Sequence, residues 1–252
     1  MTSAVSSPEL AIVLPVYNEG EAVEPVLRAM ARGVTTQHEL VVVYDFDEDT
    51  TVPVVDRLRA EIPGLRGLRN DLGRGVLNAM KAGIAGTTTP YVLISMADGS
   101  DEPHIVDSMV ALARDGADIV AASRYMRGGR QIGGPPLKRL MSRTAGLTLH
   151  WFARIPTHDP TNNFKLYSRR FLDSVTIEST AGFELALELT VKARLAGRRI
   201  AEVPTTWRDR TAGQSNFKLR QWLPHYLHWY RLAFLGQRRR PSEHRSGDRS
   251  TS

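Results

Sequence analysis

The chain has 252 residues, 42% of them hydrophobic and 24% charged, which is the composition of a globular protein with a substantial core in one large domain. It contains no cysteine, so a disulfide framework and a thiolate metal site are both excluded. Its formal net charge of +6 suits a nucleotide, a nucleic acid or an anionic membrane surface.

The N-terminal MTSAVSSPEL lacks the basic start and apolar middle of a signal peptide. No later stretch offers the roughly 20 uninterrupted apolar residues that span a bilayer. A cytoplasmic protein without a spanning segment is therefore expected. From there, short apolar runs alternate with segments of helical period. Leu10 to Val16 reads as a strand and Gly20 to Ala31 as a helix; Glu39 to Tyr44 reads as a strand rich in β-branched residues, and Thr51 to Ile62 as a helix. Helix at Gly75 to Ala85, strand at Tyr91 to Met96, helix at Val106 to Arg114 and strand at Ala117 to Ala122 continue the series. Strands that are continuously apolar and separated by helices imply a parallel sheet covered on both faces, so the expected fold is a doubly wound α/β sheet. Beyond it, Arg238, Arg239, Arg240, Arg245 and Arg249 lie in a Pro/Ser/Arg-rich tail expected to be disordered.

In such sheets ligands bind beyond the carboxyl ends of the strands. Those ends read PVYNE, DFDED and ADGSDEP. A single acidic loop is the ordinary polar end of a buried strand. Three on one edge concentrate negative charge, which is costly unless a cation or a ligand's hydrogen-bond donors offset it. There is no G-x-x-x-x-G-K-[ST] loop, no G-x-G-x-x-G after the first strand and no G-x-S-x-G elbow, which argues against a P-loop nucleotidase, a dinucleotide oxidoreductase and an α/β-hydrolase.

The ordered set IVLPVYNE (Ile12 to Glu19), VVVYDFDEDTT (Val41 to Thr51), LGRGVLNAMKAGI (Leu72 to Ile84), MADGSDEP (Met96 to Pro103), ADIVAASRY (Ala117 to Tyr125), DPTNNFKLY (Asp159 to Tyr167), GFELALEL (Gly182 to Leu189) and IAEVPTTWRDRTAGQS (Ile200 to Ser215) resembles the inverting family-two glycosyltransferases of GT-A fold. Within them it is similar to the dolichyl- or polyprenyl-phosphate mannosyltransferase branch. The resemblance implies that Pro15, Tyr17 and Glu19 line the nucleotide pocket, that Asp45 accepts a hydrogen bond from the base, and that Asp47 and Asp49 shape that loop. Taken alone, the same residues read as a strand-end turn and a solvated loop. Leu72 to Gly75 looks like the family's loop near the nucleotide, where glycine lets the backbone approach a ligand.

Asp98 is the position to which the resemblance gives a metal or diphosphate, with Ala97 beside it in the nucleotide-sugar site. A divalent ion there, Mg2+ or Mn2+, would neutralise charge on the departing nucleoside diphosphate. The chain departs from the family here: the usual D-x-D is Met96-Ala97-Asp98, and Ser100 stands in the metal-side position where glutamine is often found. One carboxylate is lost, to be made up by Asp101, Glu102 or the phosphates. Arg124 and Arg210 keep family places and are candidates to hold phosphate oxygens, although isolated arginines are usually surface charges. Asn216 stands where the family carries lysine.

On the acceptor side, Asp159 to Phe164 resembles D-P-[TM]-S-G-F with two asparagines in place of Ser-Gly, and asparagine tolerates left-handed backbone. Asp159 and Glu184 are the candidate general bases for a hydroxyl acceptor; Glu184 also reads as an ordinary acid at a helix start. A polyprenyl phosphate acceptor is already an anion and needs no base. The implied reaction is inverting transfer of a hexose, mannose from GDP-mannose or glucose from UDP-glucose, most naturally to polyprenyl phosphate. The alternatives are a soluble hydroxyl acceptor and a catalytically degenerate nucleotide-sugar binder; nucleic-acid binding rests on charge alone and is not expected. The boundaries that follow are a catalytic domain over 1–216, an aromatic and basic amphipathic segment over 217–236 and a basic tail over 237–252. Aromatic and basic residues together suit a bilayer interface, and Arg139 to Phe152 is a second such segment. The competing reading packs the aromatic face on the catalytic domain or on a second subunit.

Overall fold

The structure is a computed structural model that describes residues 7–209 and 219–235; Arg210, Asn216 and the 237–252 tail lie outside the described residues. The elements run β1 (Leu10–Pro15), α1 (Val23–Gly33), β2 (His38–Tyr44), α2 (Val52–Leu58), β3 (Leu65–Arg69), α3 (Val76–Ala85), β4 (Tyr91–Ile94), α4 (Val106–Arg114) and β5 (Ile119–Ser123). There follow β6 (Arg130–Ile132), α5 (Pro136–Trp151), β7 (Lys165–Ser168), α6 (Arg169–Leu172), α7 (Leu185–Leu195), β8 (Ile200–Pro204), β9 (Thr206–Arg208) and α8 (Leu219–Leu235). The expected alternation is present over the first half of the chain, with ends moved by a few residues.

Seven strands form one sheet in the order β3-β2-β1-β4-β7-β5-β8, and β6 and β9 pair separately. Within the main sheet β7 alone is antiparallel to its neighbours, β4 and β5. The continuously apolar strands are explained by two cores. Along β1, Leu10, Ile12 and Leu14 face the helices α1, α2 and α4, while Val13 faces α3. Leu40 and Val42 of β2 face the first layer, Val41 and Val43 the second, which is the two-residue alternation of a strand covered on both sides. Leu185 and Leu189 of α7 extend the second core.

Chain order runs outward from β1 to β3 and then jumps to β4 on the other side of β1. That reversal places a crevice at the carboxyl ends of β1 and β4.

A third apolar cluster joins the end of α5 (Leu149) to α7 (Leu187, Val191) and α8 (Trp229, Ala233). Tyr226, Trp229, Tyr230 and Ala233 recur at helical spacing and form one stripe, so this aromatic face of α8 is turned onto the protein rather than outward. α8 exposes Leu227, and α5 exposes Leu137, Leu140 and Trp151, with Phe152 just beyond it. No helix among the described residues is long and apolar enough to cross a membrane.

Candidate active site

The three acidic loops do meet at one edge, but most of their carboxylates are engaged with backbone. Asp49 is buried; its Oδ2 accepts the Asn18 N–H at 3.0 Å and its Oδ1 the Thr51 N–H at 2.8 Å. Asn18 has a left-handed backbone (φ 53°), and its own Oδ1 accepts the Thr50 N–H at 3.1 Å. The loop after β1 is thus riveted to the loop after β2. Asp45 ties the second loop to a third: it accepts the Asn70 amide at 2.7 Å and the Gly75 N–H at 2.8 Å. Gly75 sits at φ 123°, ψ 152°, a conformation side chains avoid, and it aims its N–H back at Asp45 from the first position before α3.

Of the nucleotide-pocket candidates, Tyr17 projects into solvent at 55% exposure and Asp47 is exposed beside Arg69, 3.5 Å away. Glu19 is half-buried, and its N–H donates to the Thr51 hydroxyl at 3.0 Å. Pro15 is the buried last residue of β1, so it shapes the strand end rather than offering a wall to a ligand. Asp45 already holds one donor on each oxygen, which makes it a loop organiser before it meets any base.

At the end of β4, Asp98 is half-buried and its Oδ1 accepts the Ser100 N–H at 3.0 Å. Asp101 lies beside it; its Oδ2 accepts the Ser95 hydroxyl at 3.1 Å and the Met96 N–H at 3.3 Å. Burial, and next the Asp98 charge, push the Asp101 carboxyl up to about 7. Ala97 and Ser100 are buried, Ser100 accepting the Arg208 N–H on its carbonyl. Glu102 accepts the Thr206 N–H at 2.6 Å on its Oε2, fastening β9 to this loop. Among the described residues no group of three or more His, Asp or Glu is placed to hold a metal ion. An Asp101 carboxyl raised by burial and by the Asp98 charge beside it is nevertheless a chemical fit for a divalent cation of the Mg2+ kind, which takes one or two carboxylates and completes its shell with water and phosphate.

The second half of the chain contributes a buried charge network. Arg124 follows β5, and its guanidinium grips Asp159 with both arms, Nε to Oδ2 at 2.6 Å and NH2 to Oδ1 at 2.9 Å. The Arg124 N–H adds a bond to Oδ2 at 3.1 Å, and NH2 reaches the Ser142 hydroxyl of α5 at 3.3 Å. Burial alone would push the fully buried Asp159 carboxyl up; Arg124, and then Lys165, outweigh it and hold it below the usual value. Both oxygens of this candidate base are thus engaged by a guanidinium. The pairing also makes Arg124 a partner of Asp159 before it is a partner of phosphate.

Behind this pair, the fully buried Lys165 donates to the carbonyls of Asp159 and Asn162. Burial brings its ammonium down to about 7 against the pull of Asp159. Nothing in the sequence motifs singled it out, although a lysine in an otherwise apolar strand is tolerated only when it is paired. Gly146 of α5 lies directly against the His158 carbonyl, so α5 reaches the Asp159 turn only because no side chain intervenes.

Glu184, the other candidate base, is likewise engaged. It is fully buried, with Oε1 on the Ala181 N–H at 2.9 Å and Oε2 on the Gly182 N–H at 2.7 Å, so it closes its own loop ahead of α7. Phe183 offers its carbonyl to Asn163 at 3.4 Å and to the Tyr226 hydroxyl at 2.9 Å, joining this loop to the Asp159 turn and to α8. Burial and the Glu184 charge push the Tyr226 phenol up, which keeps it a donor. A cavity of about 200 Å³ opens here, lined by Ser179, Thr180, Glu184, His225, His228 and Trp229.

Comparison with known proteins bears on this arrangement. The sequence model described as Glycosyl transferase family 2 matches residues 11–176. A dolichol-phosphate mannosyltransferase of Pyrococcus furiosus is 24% identical over 89% of this chain, which spans only 63% of that protein's length. An undecaprenyl-phosphate mannosyltransferase of Micrococcus luteus is 30% identical over 81% of this chain and 85% of its own. A polyprenol monophosphomannose synthase of Mycolicibacterium smegmatis is 27% identical over 84% of this chain and 85% of its own. Among solved structures, glucosyl-3-phosphoglycerate synthase of Mycobacterium tuberculosis superposes with a TM-score of 0.63 at 19% identity, over 94% of this chain and 82% of that one.

Proposed function

The chain belongs to glycosyl transferase family 2 and carries its GT-A fold, and on that premise we propose that it moves a hexose from a nucleoside diphosphate sugar to polyprenyl phosphate, with inversion at the anomeric carbon. The observation that carries the choice of acceptor is the sequestration of both candidate bases. Asp159 is held by Arg124 and Glu184 by two backbone N–H groups. A hydroxyl acceptor must lose a proton to a base within hydrogen-bond reach. A phosphate monoester arrives as an anion and attacks without one. The names of the mannosyltransferase relatives support the same acceptor class and favour mannose as the sugar.

In this reading the donor lies at the crevice edge of β1, β2 and β4, with its base toward Tyr17 and the Asp45 loop and its diphosphate toward Asp98. Asp98 and Asp101 would hold a Mg2+ or Mn2+ ion, which when bound supplies positive charge to the leaving diphosphate. The solved relative crystallised with Mn2+ and UDP supports this kind of ion. Arg124, oriented by Asp159, faces the acceptor side and steers its phosphate, with Arg210 as the further candidate outside the described residues. The exposed Leu137, Leu140, Trp151 and Phe152, interleaved with exposed Arg139 and Arg143, give α5 the chemistry to rest on an anionic bilayer, which supports a protein working at the cytoplasmic membrane face.

The test is transfer of labelled sugar from GDP-mannose and UDP-glucose to polyprenyl phosphate in the presence of Mg2+ or Mn2+, by wild type and Asp98→Ala. Labelled lipid from one donor, lost in the variant, is the expected result. Nucleotide-sugar binding without transfer to any acceptor would instead make the chain a degenerate binder, the reading that Met96 at the first acidic position favours.

A further inference from the structure

Asp45 holds one donor on each oxygen before any ligand arrives, from Asn70 and Gly75, and base recognition in this crevice can draw on an aromatic group beside it. The residue that follows it is Phe46. Its ring meets Tyr17 edge-on, with centroids 5.8 Å apart and planes at 72°, and the Arg74 guanidinium carbon lies over it at 4.7 Å from the centroid. These three residues come from the ends of β1 and β2 and from the turn before α3, and they are held together by the Asp49 and Asp45 bonds rather than by one another. Tyr17 and Arg74 are exposed and Phe46 is half-buried, so a flat aromatic surface capped by a cation stands open at the ligand edge.

We propose that Phe46 is the stacking platform for the donor's nucleobase and that Arg74 is its latch, resting on the ring before the nucleotide arrives and turning to the diphosphate once the base takes the ring's face. The proposal rests on the donor site described above. An aromatic face binds either a cation or a flat base, and the base excludes the cation from the same face. The displaced guanidinium is tethered to the turn at Gly73 and Gly75, whose left-handed backbones (φ 98° and 123°) bring that turn against Asp45 and the loop after β2. It therefore stays within the donor crevice, where a diphosphate offers the paired oxygens that a planar guanidinium fits best. Tyr17, edge-on to Phe46, closes one side of the platform.

The consequence is a split between nucleosides and nucleotides. Removing Arg74 takes away a competitor for the ring but also a phosphate contact. Uridine, guanosine, UDP and GDP are titrated into wild type, Phe46→Leu, Phe46→Ala and Arg74→Ala, with binding followed by NMR. Both Phe46 variants are expected to weaken the preferred nucleoside and its diphosphate alike, by roughly fivefold to a hundredfold, the worth of a base–aromatic stack. Phe46→Leu keeps the apolar volume, so a loss common to both variants is a loss of stacking rather than of folding. Arg74→Ala is expected to tighten nucleoside binding by about two- to fivefold, the worth of an exposed cation–π contact, while weakening the diphosphate. Wild-type binding that neither Phe46 variant alters would overturn the platform and leave the donor site standing. Nucleoside and diphosphate affinities moving in the same direction in Arg74→Ala would overturn the latch. A wild type that binds no nucleotide would overturn the donor site itself, and both roles with it.

Discussion

The two sides of the crevice use carboxylates in opposite ways. On the donor side, Asp45, Asp49 and Glu102 neutralise nothing; each collects backbone or amide N–H groups from a neighbouring loop and so fixes the loops to one another. On the acceptor side, Asp159 is a counter-ion, fully buried and saturated by a guanidinium, with a lysine packed behind the turn. The first arrangement leaves the edge half-open and its remaining acids, Asp98 and Asp101, available to a cation. The second builds a rigid charge-paired wall whose members cannot be removed singly. Tolerance to substitution should therefore differ sharply between the two sides.

The largest effect should come from Asp159→Asn. It leaves the Arg124 guanidinium buried without its partner charge, and breaking a buried pair in this way costs about 3–5 kcal/mol. Denaturant midpoints of wild type and variant measure it. Because the Asp159 carboxyl sits below its ordinary value when folded, its contribution is complete above the unfolded carboxyl pKa of about 3.9 and is lost as pH falls through the lower folded value. Wild type should lose stability in that acid window, and Asp159→Asn should lack that part of the loss. On the donor side, Asp49→Ala removes two bonds to backbone N–H groups and strands no buried counter-ion, with an expected cost of about 1–2 kcal/mol. Equal losses in the two variants would break the comparison.

The same contrast explains how far the fold and the site were legible in the sequence. The donor half is made of buried parallel strands whose apolar runs end in acids, so Leu10–Pro15, His38–Tyr44 and Tyr91–Ile94 announced both the sheet and its ligand edge. β3, Leu65–Arg69, escaped because it is a partly exposed edge strand carrying two arginines and a glycine. β7, Lys165–Ser168, escaped because four residues led by a buried lysine show neither periodicity nor a turn signal. In the site, the spacing of Asp98, Asp159 and Glu184 was visible, but which carboxylate is occupied by a neighbour depends on contacts such as Arg124 with Asp159, 35 residues apart in sequence. Residue type shows that an acid is present; only the fold shows whether its oxygens are free to react. The aromatic stripe of α8 carried two readings for the same reason, and Trp229 resolved it by packing on α7.

A pH-dependent effect sharpens the donor side. The Asp101 carboxyl is raised from 3.8 to about 7 when folded, so the stability linked to its protonated form is fully present below the unfolded value and is lost as pH rises through about 7. Asp101→Asn should flatten that decline, leaving the variant relatively more stable than wild type above neutrality. Denaturant titrations at pH values either side of the window test this; a variant whose profile tracks wild type would mean that burial and the Asp98 charge do not raise the Asp101 carboxyl.

The smallest effect belongs to the cavity beside Glu184. The Ser179 hydroxyl is buried and has no hydrogen-bond partner among the described residues, whereas its neighbours on the same loop are fully used: the Ser179 N–H donates to Glu188 at 2.8 Å, and its carbonyl accepts Lys81 at 3.2 Å. The backbone is therefore held without help from the side chain. Ser179→Ala removes only an unpaired polar atom, and a buried group that forms no bond carries its desolvation cost without return. Stability should stay level or rise by up to about 1 kcal/mol, read as a denaturant midpoint, against the several kcal/mol lost at Asp159 a short distance along the same side. A clear loss of stability would show that the hydroxyl is bonded in solution, and the acceptor side would then be satisfied throughout, as the comparison requires of its charged members.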